Sequence, residues 1–300
     1  QTVRAEPEIC LRKTWTRSKA CAHNDMTSIE QLFSALRAAG RKAFMPFITA
    51  GDPDLAYSAQ LLRLFAQHGC HLCELGIPYS DPIADGPVIQ ASYTRALDNK
   101  IRLSAIFDML RETAPELPMP LVTMVSYAII NRRGAEAYVD QAQAAGAAGA
   151  LVPDLPYDEA EALAKTCQER NFNLIQLVTP TTPRERALKI TALSTGFLYY
   201  VSVTGITGER QELPTKLIDE LSWLREQTSL PICVGFGVSQ PEHVRKLAPV
   251  ADGLIVGSAI VRKVAKVSEA GGTAAARQQA LDELASFIQE MLAACAAAGE

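Results

Sequence analysis

The stretch Glu74-Leu75-Gly76-Ile77-Pro78-Tyr79-Ser80-Asp81-Pro82-Ile83-Ala84-Asp85-Gly86-Pro87 follows directly on the apolar run Leu72 to Leu75. The run reads as a buried strand that carries Glu74 and breaks at Gly76 and Pro78. Pro82, Gly86 and Pro87 then stiffen a loop that presents a second carboxylate, Asp85. A carboxylate at a strand end and another in a rigid loop suit acid/base chemistry. The competing reading is a strand-end Glu satisfying a neighbour and an Asp serving a turn.

Outward from this stretch, the same texture repeats. Strand-like apolar runs fall at 43–49, 71–76, 120–125, 149–153, 173–179, 197–203, 231–235 and 252–256. Helical patterns fall between them, at 55–68, 102–113, 134–145, 157–170, 183–195, 214–227 and 241–248. An Ala-rich helical tail covers 273–297. Thr182-Pro183-Arg184-Glu185 and Ser239-Gln240-Pro241-Glu242 read as capping boxes, as does Ser28-x-x-Gln31 for a first helix. Nearly continuous apolar strands alternating with helices predict a parallel sheet. Eight strands are the number that closes a (β/α)₈ TIM barrel, here with an extra N-terminal helix. A doubly wound open sheet is the rival, because counting strands does not show closure.

Composition bounds the rest. The chain has 300 residues, a 48% hydrophobic fraction and a formal net charge of -4 with mixed signs. That argues one large domain over residues 26–300, and gives no case for nucleic acid or an anionic membrane. No apolar run approaches the ~20 residues of a membrane span. Seven scattered cysteines, an odd number, fit reduced thiols and a cytoplasmic location. Cys70-His71-Leu72-Cys73 lacks a second ligand pair at zinc spacing, so no metal site is expected. Residues 1–25 lack an apolar period and read as an unstructured extension before Met26. They carry Arg4, Arg12, Lys13, Arg17 and Lys19, which would suit a transit-peptide remnant and a plastid address; Glu6, Glu8 and Asp25 argue against it.

On a barrel, chemistry sits on the loops after the C-terminal strand ends, and Glu74 and Asp85 both fall there. Three glycine-bearing loops share that rim: Thr204-Gly205-Ile206-Thr207-Gly208, Gly235-Phe236-Gly237 and Gly257-Ser258. The last two lead into helices, whose N-termini favour an anion, so a phosphate group is expected there. Tight strand-to-helix turns are the alternative use of these glycines. No strand core holds a lysine for a Schiff base, and none of His23, His68, His71 and His243 lies on the rim. Carboxylates, hydroxyls and Tyr199 remain, which points to proton transfer on a phosphorylated small molecule.

From Met26 onward the sequence resembles the tryptophan synthase α subunit family. The resemblance rests on Pro46-Phe47-Ile48-Thr49-Ala50-Gly51-Asp52-Pro53, on the long stretch Glu74 to Pro87 and on Thr179-Pro180-Thr181-Thr182-Pro183. It rests also on Tyr199-Tyr200-Val201-Ser202-Val203-Thr204-Gly205-Ile206-Thr207-Gly208, Gly235-Phe236-Gly237 and Val256-Gly257-Ser258. It implies a TIM-barrel lyase of tryptophan biosynthesis that cleaves indole-3-glycerol phosphate to indole and glyceraldehyde 3-phosphate by a retro-aldol reaction. Glu74 would protonate indole C3 and take the glycerol hydroxyl proton, Asp85 would bind the indole N–H, and Tyr199 would line the site. Phe47, Thr207, Gly208, Gly235, Phe236, Gly237, Gly257 and Ser258 would hold the substrate and its phosphate. The resemblance implies no cofactor in this chain and a pyridoxal-phosphate β subunit as partner, in an α2β2 heterotetramer. A stand-alone indole-3-glycerol phosphate lyase, a phosphosugar isomerase and a non-catalytic allosteric subunit are the alternatives. Ser126-Tyr127-Ala128-Ile129 departs from the family's usual Tyr-Tyr-Asn-Pro after strand three.

Overall fold

In the computed structural model, the residues described are 28–82, 85–202, 217–235 and 237–297. Eight parallel strands close into a barrel in sequence order. They are β1 (Ala43–Thr49), β2 (Cys73–Gly76), β3 (Leu121–Met124), β4 (Ala147–Leu151), β5 (Asn173–Val178), β6 (Leu198–Val201), β7 (Ile232–Gly235) and β8 (Gly253–Val256). The open-sheet alternative is excluded because β8 returns to pair with β1, Ala43 opposite Gly253 through Pro46 opposite Val256. The chain opens with α1 (Ser28–Ala38), and around the barrel run α2 (Leu55–Gln67), α3 (Pro87–Asp98), α4 (Leu103–Thr113), α5 (Tyr127–Arg133), α6 (Ala135–Ala144) and α7 (Tyr157–Glu169). The ring is completed by α8 (Arg184–Leu193), α9 (Leu217–Gln227), α10 (Pro241–Leu247), α11 (Ser258–Glu269) and α12 (Ala274–Ala297).

Both faces of every strand are covered, so alternate residues feed two separate apolar cores. Phe44 and Ile48 of β1 pack outward with the helix layer, together with Leu75, Leu174, Val234 and Leu254. Ala43, Met45 and Phe47 point inward with Val122, Ile175, Tyr199, Cys233 and Ile255. The extra N-terminal helix joins the inner core rather than the outer ring. Ile29, Leu32, Phe33 and Leu36 of α1 plug the N-terminal end of the barrel, with the Phe33 ring 5.9 Å from that of Phe197. Asp252 fastens the same end. It accepts from Arg37, from Arg225 and from the Ile232 amide at 2.8 Å. Burial pushes its carboxyl up, but these donors prevail and hold it below the usual carboxylate value. The N-terminal end of the barrel is thus sealed.

Three details differ from the sequence expectations. The fourth strand starts at Ala147, two residues before the expected 149–153. Ala147, Ala148 and Gly149 have weak strand preference, and barrel pairing overrides it, with a register irregularity between Leu121 and Val122. Neither expected capping box in the described barrel forms. Helix α8 has Pro183 at its N-cap without a side-chain bond, because the Thr182 hydroxyl accepts from the Thr179 amide instead. Helix α10 has Gln240 at its N-cap, also without a side-chain bond, and the Ser239 amide donates to His243 Nδ1. Two helices, α3 and α5, arise where no helix was expected. The N-terminal extension 1–25 lies outside the described residues.

Candidate active site

Glu74 is the second residue of β2, and strand alternation turns it and Gly76 to the barrel interior. It sits in register between Phe47 of β1 and Val122 of β3. Glu74 is 1% exposed and its Oε1 has no hydrogen-bond partner, so nothing donates to that oxygen to stabilise a charge on it. Burial pushes it up to about 8, so near neutral pH it carries its proton. That is the state a general acid requires.

Asp85 closes the loop after β2, immediately before the N-cap Gly86 of α3. Its loop is held by Gln90, whose Nε2 donates to the Asp85 carbonyl at 2.7 Å and to the Pro82 carbonyl at 3.2 Å. Its Oδ2 is buried without a partner. Burial, and then the charge of Asp154, push its carboxyl up to about 7. Asp154 follows β4 and is itself held by the Ser126 hydroxyl at 2.6 Å and the Tyr127 amide at 2.7 Å. The atypical segment 126–129 therefore has a definite structural use. Ser126 caps α5, and the Tyr127 hydroxyl donates to Glu159 at 3.0 Å.

Tyr199 rises from β6, across the barrel from β2. Burial and the charges of Glu74 and Asp85 hold its hydroxyl well above its ordinary value, so it stays protonated. Its hydroxyl fills the space in front of Gly235, where a Cβ would lie 1.9 Å from it. The glycine at 235 thus makes room for Tyr199. Phe47 fills the matching space on the other side. A Cβ at Gly76 would meet its ring at 2.6 Å, and one at Gly257 would touch it at 3.5 Å. Gly257 is the N-cap of α11, so the Ser258 end of that helix opens beside the Phe47 ring. Gly237 has φ +78, a backbone that β-branched side chains avoid. Thr207, Gly208 and Phe236 lie outside the described residues, as do Ile83 and Ala84 of the long loop.

The structure also brings in side chains that the sequence did not single out. Tyr93 of α3 and Tyr79 of the loop after β2 pack at the mouth with ring centroids 5.7 Å apart, tilted by 51°. Asp154 joins them through its charge on Asp85. Among the described residues, no cluster of His, Cys, Asp and Glu could hold a metal ion. None of the described helices is long and apolar enough to cross a membrane.

With that geometry in place, known proteins can be compared. The family model for the tryptophan synthase alpha chain matches residues 33–296. The chain belongs to the tryptophan synthase alpha chain family. The alpha chain of Rhodopirellula baltica is 55% identical over 278 residues, spanning 91% of this chain and all of that one. That of Rippkaea orientalis is 44% identical, spanning 89% and 97%. Among solved structures, the alpha subunit of Legionella pneumophila superposes with a TM-score of 0.81 at 31% identity, over 91% of this chain and 99% of that one. A structure of Mycobacterium tuberculosis tryptophan synthase superposes at 0.79 and 28% identity, over 90% and 98%. The family is one of lyases that cleave indole-3-glycerol phosphate, and this alpha chain is an enzyme of that kind.

Proposed function

We propose that Glu74 and Asp85 carry the cleavage of indole-3-glycerol phosphate in this chain. The observation that supports this is the pair of buried carboxyls, each with an unpartnered oxygen, in one barrel mouth. Glu74, protonated, gives its proton to indole C3, and positive charge spreads to the ring nitrogen. Asp85, ionised, accepts the indole N–H and stabilises that charge. The Glu74 carboxylate then takes the proton of the hydroxyl next to the ring. The C–C bond breaks, its electron pair returns to the indole, and the aldehyde of glyceraldehyde 3-phosphate forms. Glu74 ends as it began, protonated. One proton has moved from oxygen to carbon, and no redox partner is needed. Tyr199 and Phe47 flank the ring.

The phosphate is assigned to Gly235, Gly237, Gly257 and Ser258, with Thr207, Gly208 and Phe236 from the neighbouring loops. Helix α11 supplies unpaired N–H groups at its start. A Gly237→Val change places a branched side chain at φ +78, where it pulls the backbone N–H groups off the phosphate, and is expected to weaken glycerol 3-phosphate binding by ~tenfold or more, the loss of one hydrogen bond to a charged group. Calorimetry on the folded variant checks this; affinity equal to wild type would move the phosphate elsewhere.

The partner proposed is a pyridoxal-phosphate β subunit, in an α2β2 assembly of the cytoplasm. Free indole is apolar and leaks, so direct transfer to a partner conserves it. The isolated chain is expected to release indole slowly, and a matching β subunit to accelerate release by ~10-fold or more, by ordering rim loops around the closed site. The test is steady-state indole release with and without that subunit. Fast release, unchanged by the β subunit, would favour a stand-alone lyase. No release under either condition, with substrate bound, would favour a non-catalytic subunit.

A further inference from the structure

His243 of α10 is buried to 2% exposure, and its ring is tied to the loop before the helix. Nδ1 accepts from the Ser239 backbone amide at 3.3 Å. It accepts with its lone pair, as only an unprotonated ring nitrogen does.

His243 is the third residue of α10, and helical side chains lean back over the N-terminal turn. A polar side chain at this position commonly closes a helix start by bonding the amide of the N-cap residue. Here the N-cap is Gln240, which makes no side-chain bond, and the His243 ring reaches past it to the residue before. Backbone already opens the helix, since the Gln240 carbonyl accepts from the amides of His243 at 3.1 Å and Val244 at 3.4 Å. What the His243 ring adds is a hold on the loop.

That loop is short, and its other end is fixed too. It leaves β7 at Gly235, which pairs with Val201 of β6. The Gly235 carbonyl accepts from the Ser202 amide at 3.1 Å and from the Ser202 hydroxyl at 3.0 Å. Ser202 directly follows β6 and is fully buried. Val238 turns its side chain into the outer core. Between these points Gly237 stands partly exposed at φ +78. Glycine has more backbone freedom than any other residue, so the direction of its N–H is set by the anchors on either side. Ser202 is the anchor before it, and His243 is the anchor after it.

We infer that His243 is a positioning residue for the substrate phosphate, holding the loop after β7 in the shape that turns its backbone N–H groups toward that group. The inference rests on the assignment of the phosphate to Gly235 and Gly237. His243 acts through Ser239 and not on the reacting atoms. A loop fixed beforehand loses little freedom when the phosphate arrives, whereas a released one has to be ordered by the ligand.

The test is His243→Phe in the full chain, which keeps a ring and removes the acceptor. His243→Leu removes the acceptor with a smaller side chain and serves where the phenyl ring does not fit. His243→Asn keeps an acceptor oxygen in the place of Nδ1. Calorimetry with glycerol 3-phosphate is expected to show affinity roughly three- to tenfold weaker in the Phe and Leu variants, the worth of one neutral hydrogen bond. The Asn variant is expected to bind as wild type does. Affinity for indole, which has no phosphate, is expected to be unchanged in all three. With indole-3-glycerol phosphate, KM rises while kcat holds, as when binding is lost equally from ground and transition states.

Wild-type affinity for glycerol 3-phosphate in the folded Phe and Leu variants would overturn the inference. Equal losses of indole and glycerol 3-phosphate binding would overturn it as well, since a loosened barrel produces both. An Asn variant as weak as the Phe one would assign the effect to ring packing and sink the role of the acceptor. Gly237→Val separates this from the phosphate assignment. If it weakens glycerol 3-phosphate binding and His243→Phe does not, the phosphate stays on the loop and the His243 role falls. If neither change weakens binding, the phosphate lies elsewhere and both fall.

Discussion

Replacing Glu74 by glutamine is expected to leave a folded barrel whose turnover falls to the upper end of the ~10²–10⁴-fold range for a lost general acid–base group. The upper end follows because one carboxyl serves both proton transfers, and an amide serves neither. Turnover within tenfold of wild type would remove Glu74 from the mechanism. Stability should move the opposite way, and its pH dependence identifies the cause. The Glu74 carboxyl titrates near 4.5 unfolded and at about 8 folded. Between those values the native state holds a proton that the unfolded chain releases, so wild-type stability falls as pH rises through this window and levels off above it. Glutamine has no proton to lose. The Tm advantage of Glu74→Gln over wild type should therefore grow from about pH 4.5 to about pH 8. A constant difference across that range would mean that burial does not set the Glu74 proton affinity.

The barrel was legible because its strands are apolar on both faces and its helices have one apolar face. Seven of the expected strands overlap the observed ones closely, and the eighth, β4, slides by two residues in a run of Ala and Gly. Closure was not legible, because it is a property of the pairing between the first and last strands. Helix α3 was obscured by its own start. Gly86-Pro87 reads as the end of a loop, and Ser92, Tyr93 and Thr94 are indifferent helix formers. Proline at the first helical position was the available signal. Missing α3 also hid Tyr93, since only the helix turns it back over Gly76.

The site divides along similar lines. Glu74 and Asp85 announce themselves as carboxylates flanking a strand end. Asp154 gives no such signal, as its influence on Asp85 comes through space from a loop two strands away. The rim glycines had two uses that a sequence does not separate. Gly235 and Gly76 leave space for Tyr199 and Phe47, whereas Gly237 satisfies a left-handed backbone. What links them is packing at the barrel mouth. The rings of Phe47 and Tyr199 enter the interior where the neighbouring strand carries a glycine.

Asp85→Asn tests the electrostatic half of the mechanism. Asparagine still accepts the indole N–H, so ground-state binding should change little, within about fivefold by calorimetry with a non-cleavable analogue. The charge that opposes the developing indolium is gone, however. Charge stabilisation of this kind is worth ~10²–10³-fold in kcat, and in a buried site no water compensates for it. The pH profile gives a second signature. Wild-type kcat/KM requires Asp85 ionised and Glu74 protonated, so it should peak between about 7 and about 8, where both conditions are partly met. The Asn variant should lose the acidic limb and keep the basic one, leaving a low, flat rate that falls only as Glu74 ionises. A variant with normal kcat and weakened binding would make Asp85 an anchor for the substrate. A retained acidic limb would assign that limb to another group, and Asp154, the charge beside it, would be the next carboxylate to remove.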